Sequence, residues 1–241
     1  MTVFRFNSHV SRVYFAFSPA PISSTKVVCD QETNKLGDAK KTCNIIGDLA
    51  TNSKRDVKQM IEIRWHGRGC QGIVSVSRLL AEAALLDKKY VQSFPEFGPE
   101  RAGAPVRGFT RISDDPIRIH SQIYNPNIIV IVDPTLLGAD VTSGLVENGA
   151  IIANADCAPD ELKKTLSVKD TRVYAVNARR IALDVLGRPI YNTAMLGALL
   201  KVAPITSFES IATVVRARFP GTLGEKNVEA LKRASREVAE I

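Results

Sequence analysis

The chain has 241 residues, 45% of them hydrophobic and 24% charged, and a net charge of +7 from 32 basic and 25 acidic side chains. Those proportions describe an ordinary globular protein, long enough for one large domain or one and a half, and exclude fibrous, collagenous and disordered classes. The longest apolar runs, such as 128–132, are far too short to cross a bilayer, and Lys and Arg form no stripe among aromatics, so neither a membrane nor a nucleic acid is an expected partner.

Residues 1–59 stand apart from the rest. They hold nine Lys/Arg against five Asp/Glu, carry no acidic residue between Met1 and Cys29, and show no hydrophobic period in pieces such as SPAPISSTK. An Arg- and Ser-rich, acid-poor start resembles a transit peptide. The simpler alternative is preferred: Met60 directly precedes the first strand pattern, so 1–59 are expected to be an untranslated or disordered extension. The domain proper is then 60–241. Cys29, Cys43, Cys70 and Cys157 are scattered, with no C-x-x-C pair and no Cys/His cluster at zinc spacing. No metal site is expected of this chain alone. Without a secretory signal, the thiols are expected to be reduced in a cytoplasm.

From Met60 onward the elements are legible. Ile61–Trp65 reads as a strand, and Gly72–Leu86 as a helix with Ile73, Val76, Leu79, Leu80, Ala83 and Ala84 on one side. Tyr90–Phe94 and Val106–Ile112 are expected strands, with His120 on a further strand edge. The β-branched run Ile128–Val132 suits a strand buried on both faces of a parallel sheet. It ends in Asp133-Pro134, at the carboxyl edge where ligands gather in open α/β sheets. Ala150–Asn154 and Arg172–Val176 follow as strands, with helices at Pro159–Leu166 and Ala178–Leu186. The C-terminal third reads as helix over Thr193–Val202, Ser207–Phe219 and Glu225–Glu240, with Pro204 and Pro220 as breaks and Ser207 as a helix start. The expected fold is α/β: a Rossmann-like αβα sandwich, mostly parallel, with an antiparallel element where two strands follow one another without a helix.

The chemistry concentrates in RWHGRGCQG, Arg64 to Gly72. Gly67, Gly69 and Gly72 spell G-x-G-x-x-G between a strand and a helix, the pattern that lets backbone N–H groups approach a pyrophosphate at a helix N-terminus. By itself the pattern is weak. Ordinary NAD binding wants an acid at the end of the second strand to hold the ribose, and the region Lys88-Lys89-Tyr90-Val91-Gln92 supplies none. Arg68 beside the turn suits a more heavily phosphorylated ligand. Arg64 is expected to be buried or paired in the strand, and His66 to be a packed, hydrogen-bonded side chain rather than a catalyst. A second patch, Phe94 to Val106, packs three prolines and two glycines around Glu100 and Arg101. It reads equally as a rigid connector or as a pocket or interface loop.

Four blocks carry a resemblance: RWHGRGCQGIVSVSRLLAEAALL, YVQSFPEFGPERAGAPVRGFTRI, PNIIVIVDPTLL and GRPIYNTAMLGALLKV. From Met60 to the C-terminus the chain resembles the gamma subunit of the 2-oxoacid:ferredoxin oxidoreductases, the pyruvate synthase group. The resemblance implies a hetero-oligomer with alpha, beta and delta subunits. The beta subunit holds thiamine diphosphate with Mg2+, and the ferredoxin-like delta subunit holds two four-iron four-sulfur clusters. The complex decarboxylates a 2-oxoacid oxidatively, with pyruvate favoured here, passes electrons to ferredoxin and delivers the acyl group to coenzyme A as acyl-CoA. It implies no catalytic residue on the gamma chain, which is expected to be inactive alone. The expected contribution of Gly67, Arg68, Gly69, Gln71 and Gly72 is to coenzyme A, with Glu100 and Arg101 at a pocket or interface. Two departures from the family pattern stand out: Cys70 where a glycine is usual, and Ala102 where an arginine is common. Should the Cys70 position require φ > 0, a side chain there is strained. A stand-alone dinucleotide-dependent oxidoreductase and a purely structural assembly subunit are the alternatives. The missing ribose acid counts against the first.

Overall fold

Ile128–Ile131 forms β4, whose side chains are all buried, as a β-branched run flanked on both faces requires. The computed structural model describes residues 60–96, 103–157 and 159–240; residues 1–59, and with them every expectation about the extension, lie outside the described part. So do Glu100 and Arg101. Around β4, the other strands are β1 (Ile61–Arg68), β2 (Tyr90–Glu96), β3 (Pro105–Ser113), β5 (Ala150–Asn154), β6 (Arg172–Val176) and β7 (Ala239–Glu240). The sheet order is β2-β3-β1-β4-β5-β6-β7. β1, β4, β5 and β6 run parallel. β2 and β3 form the antiparallel element, β3 pairing with β1 from Ile61↔Ile112 to Arg68↔Pro105.

Strand alternation divides the core into two. Ile63, Trp65, Ile128, Val130 and Val132 face the larger cluster, which is completed by α1 (Ile73–Leu86), α5 (Asn192–Val202), α6 (Phe208–Arg218) and α7 (Thr222–Glu237). Ile129, Ile131, Ile151, Ala153 and Val173 face the smaller cluster, closed by Leu162 and Leu166 of α3 (Pro159–Leu166) and Val141 of α2 (Ala139–Thr142). That is the expected αβα sandwich. α4 (Ala178–Leu186) opens on the side chain of Asn177, which accepts from the Arg180 N–H, and ends on Gly187 at φ 69. Asp87, capping the far end of α1, accepts from the Thr206 and Ser210 hydroxyls and from the Ser207 N–H, tying α1 to the start of α6.

The second face is less regular over β1 and β3. There Arg64 and His66 sit beside Arg107, Phe109 and Arg111, and segment 114–127 covers them. Arg111 is the anchor. It is 1% exposed, pairs with Glu62 at 2.7 Å and donates to the carbonyls of Ser121 and Gln122.

Several boundaries differ from expectation. β1 continues three residues past Trp65, because Gly67 and Arg68 keep pairing with Val106 and Pro105. His120 is exposed in a loop rather than on a strand edge. The helix expected to reach Glu240 ends at Glu237, and Ala239 and Glu240 turn back to pair with Ala175 and Tyr174 of β6. A local period cannot announce that exchange, since the reward is the pairing of β6's otherwise open edge. A 3-10 turn at Pro134–Leu136 and the short α2 were not anticipated.

Candidate functional site

The glycine-rich stretch lies at the carboxyl end of β1. Gly67 and Arg68 are still strand, so the turn proper is Gly69 to Gly72. The Gly69 N–H donates to the Ala104 carbonyl at 2.9 Å and the Gln71 N–H to the Arg68 carbonyl at 3.2 Å. Cys70 has φ 73 and Gly72 has φ 77, both left-handed. The structure thus places the family-atypical cysteine at a position that favours glycine. α1 then starts at Ile73 with no side-chain cap and no acid in its first turn. Its dipole and amides are therefore offered outward.

Two of the glycines serve internal packing. A Cβ on Gly67 would run into the Ile73 side chain, and a Cβ on Gly72 into the Asn192 amide. The turn mouth is also furnished with protein groups. The Gln71 side chain folds back, its Oε1 accepting from the Arg68 N–H at 2.7 Å. Its Nε2 donates to the Asp133 carboxylate and, at 3.2 Å, to the Tyr191 hydroxyl. Asp133 in turn accepts from the N–H and hydroxyl of Thr135, at 2.8 and 2.6 Å. Burial by itself would raise the Asp133 pKa. The bonds from Thr135 and Gln71, with Arg68 nearby, more than reverse this and hold it below the usual range. Asp133 is therefore a fixed anion.

Arg68 lies across this edge. Its Nε donates to Thr135 Oγ1 at 2.9 Å and stands 3.8 Å from Asp133, while Nη1 reaches the Gly103 carbonyl at 3.2 Å. The side chain is 36% exposed, and among the described residues its Nη2 makes no hydrogen bond. Of the residues the sequence singled out, Gly67, Arg68, Gly69, Gln71 and Gly72 thus come together. Arg64 and His66 face a separate pocket. Sequence reasoning noticed Asp133 only as a strand end and missed Thr135, Tyr191 and Asn192 entirely. The last two reach the turn from 120 residues away, and no local pattern points to them.

His66 is 8% exposed and accepts from Arg64 Nε at 3.0 Å. Burial first, then the Arg64 and Arg107 charges, press its pKa down to about 3, so it is neutral at physiological pH. Among the described residues neither histidine hydrogen-bonds to a serine, threonine or cysteine. Among the same residues, no three His, Cys, Asp or Glu are grouped to hold a metal, and no helix is long and apolar enough to cross a membrane.

This architecture is shared with known proteins. The family model for pyruvate ferredoxin/flavodoxin oxidoreductase matches residues 62–237. The chain belongs to that family. Among its pyruvate ferredoxin/flavodoxin oxidoreductase relatives, the common subunit gamma of the pyruvate/ketoisovalerate oxidoreductases of Pyrococcus abyssi is 50% identical. That alignment covers 73% of this chain and 95% of the relative. The pyruvate synthase subunit PorC of Methanothermobacter thermautotrophicus is 45% identical over 76% of this chain and 98% of its own. The crystal structure of the pyruvate oxidoreductase subunit PORC of Thermotoga maritima superposes with a TM-score of 0.70 at 40% identity, covering 76% of this chain and 99% of that one. A family gamma subunit from Geobacter sulfurreducens shares the fold at 22% identity and a TM-score of 0.61.

Proposed function

We propose that this chain is the gamma subunit of a multi-subunit 2-oxoacid:ferredoxin oxidoreductase, with pyruvate as the favoured 2-oxoacid, in which it supports coenzyme A-dependent oxidative decarboxylation. Relatives named as gamma subunits or PorC at 45–50% identity support the assignment. One such relative is named a subunit common to pyruvate and ketoisovalerate oxidoreductases. A subunit shared between two 2-oxoacids does not select the acyl side chain, which agrees with the binding groups found at the turn among the described residues. Thiamine diphosphate, Mg2+ and the four-iron four-sulfur clusters belong in this reading to alpha, beta and delta partners, and ferredoxin is the electron acceptor. The isolated chain is inactive.

The chain's own ligand in this reading is coenzyme A, and one observation carries it: a partly exposed guanidinium, Arg68, beside an uncapped helix N-terminus at the carboxyl edge of the sheet. Phosphates of coenzyme A are recognised by such a pair of features. The contact falls to Arg68, the Cys70 N–H and the first amides of α1, since Gly67 and Gly72 face protein side chains and the Gly69 and Gln71 N–H groups donate to the Ala104 and Arg68 carbonyls. A second reading, an assembly subunit that touches no ligand, draws on Gln71 and Asp133, which furnish the turn mouth and set an anion 3.8 Å from Arg68.

Arg68→Ala in the assembled complex distinguishes the two. A charge-assisted contact to phosphate is worth about 1.5–3 kcal/mol, so KM for coenzyme A rises roughly tenfold or more while KM for the 2-oxoacid hardly moves. Unchanged coenzyme A kinetics in a fully assembled complex would leave the assembly reading.

A further inference from the structure

Among the described residues two arginines are buried and only one is neutralised. Arg111 has Glu62 at 2.7 Å. Arg64, 6% exposed, has no carboxylate within ion-pair distance among the described residues. Its Nε donates to His66, and one Nη2 is shared between the carbonyls of Val141 and Ser143. These partners are neutral. A buried cation held only by neutral groups is costly unless an anion joins it. Burial and the neighbouring Arg107 both work against the charged form of Arg64, and Glu96 offsets them only in part.

Arg64 borders a cavity of about 290 Å³ between β1, segment 114–127 and α2. That is the low end of small-molecule sites. Its lining is of two kinds. Phe109 and Ile123, 1% and 2% exposed, form an apolar floor. Arg64, Gln122, Tyr124 and Ser143 supply polar groups. Among the described residues the charged side chains that line it are Arg64, Arg107 and Asp140. Arg107 also faces the cavity, but Glu96 neutralises it through a hydrogen bond of 2.9 Å and an ion-pair contact of 2.7 Å. His66 is neutral. Asp140 lines the cavity as well, and among the described residues no ion pair joins it to either arginine. One buried guanidinium without a carboxylate of its own, beside Phe109 and Ile123 and with the Asp140 carboxylate also on the lining, suits a monoanion with a short apolar body better than a dianionic phosphate.

We propose that this cavity is a binding site for a small monocarboxylate, whose carboxylate meets Arg64 and whose short apolar tail packs on Phe109 and Ile123. The site is separate from the glycine-rich turn and does not rest on the coenzyme A reading. Binding rather than turnover is therefore its readout.

Butyrate is the probe, titrated into the full chain by calorimetry and saturation-transfer NMR, with acetate, inorganic phosphate and chloride as comparison anions. Saturable butyrate binding is expected, weaker for acetate, which lacks most of the tail, and weaker again for phosphate and chloride. Arg64→Lys keeps the charge and loses the planar fork, and should weaken butyrate about tenfold. Because Arg64 also braces α2, a second variant is placed at an exposed lining position: Tyr124, 66% exposed, replaced as Tyr124→Glu, sets a like charge at the mouth and should weaken butyrate several-fold. Equal binding of all four anions, or butyrate affinity unaltered in both variants, would overturn the proposal. So would loss of butyrate binding in the assembled complex, which would give the cavity to a partner subunit's acidic group.

Discussion

Cys70 shows how much one backbone angle carries. Its φ of 73 puts a side chain where L-residues are crowded, and the thiol is exposed, so no burial compensates. The left-handed conformation costs roughly 1–2 kcal/mol for a non-glycine residue. Glycine would relieve that but give back about 0.4–1 kcal/mol through its freer unfolded chain. Cys70→Gly is therefore expected to stabilise the domain by somewhat under 1 kcal/mol, a rise in Tm of roughly 1–3 °C for a domain this size. Cys70→Ala retains the Cβ and should leave Tm unchanged, which separates backbone strain from thiol chemistry. A destabilised glycine variant would show that the thiol makes a contact outweighing the strain. This position was legible in advance as a departure from a glycine pattern. Its neighbours were not. That Gly67 answers to Ile73 and Gly72 to Asn192 depends on where two helices dock, and spacing along the chain is silent about that.

At the scale of elements, α5 behaves contrary to its composition. Residues Asn192 to Leu200 are all buried, so the helix has no polar face to mark its orientation. Propensity alone favours replacing Gly197 by alanine, by about 1 kcal/mol. In the structure an added Cβ would collide with the Leu231 carbonyl oxygen of α7 and lie 2.8–2.9 Å from two further backbone atoms of that residue. Backbone cannot swing aside as a side chain can, and overpacking of this kind costs about 1–3 kcal/mol. Gly197→Ala is expected to lower stability in urea unfolding despite its better helix propensity. A gain would mean that α5 and α7 separate easily. The same contrast governs what could be read of the elements. Types and order followed from local period, for example the β-branched run of β4 or the Ser207 cap of α6, whose side chain accepts from the Ser210 N–H. The end of β1 and the conversion of the last residues into β7 follow from pairing partners instead.

For the molecule as a whole, His66 links stability to pH. Its folded pKa lies near 3, against an ordinary value of 6.5. Between those values the unfolded chain holds a proton at this site that the folded chain refuses. Stability from this residue is thus complete above about pH 6.5 and falls as the solution is acidified toward pH 3. From pH 7 to pH 5 the loss is about 2 kcal/mol, on the scale of 1.4 kcal/mol per pH unit. Urea unfolding of the wild-type chain and His66→Gln at both pH values isolates it, because carboxylate contributions are common to the two. Identical pH dependence would mean that His66 titrates normally and that the cavity beside Arg64 is wetter than its burial implies.

Local physics, written along the chain, was sufficient for an α/β sandwich, a β2–β3 antiparallel insertion and a glycine-rich strand-to-helix turn, while the family came from the resemblance of four sequence blocks. Each of these rests on neighbours within a few turns or on a contiguous motif. Tertiary structure decided which side of the sheet the odd and even residues of β1 would face. It placed Asp133 and Tyr191 at the turn mouth and left Arg64 buried with no carboxylate partner among the described residues. A strand's alternation separates two faces but does not say which will be covered by helices. Only the crossover of β4 to the far side of β1, with the docking of segment 114–127, settles where a charge ends up in a cavity and where it ends up in water.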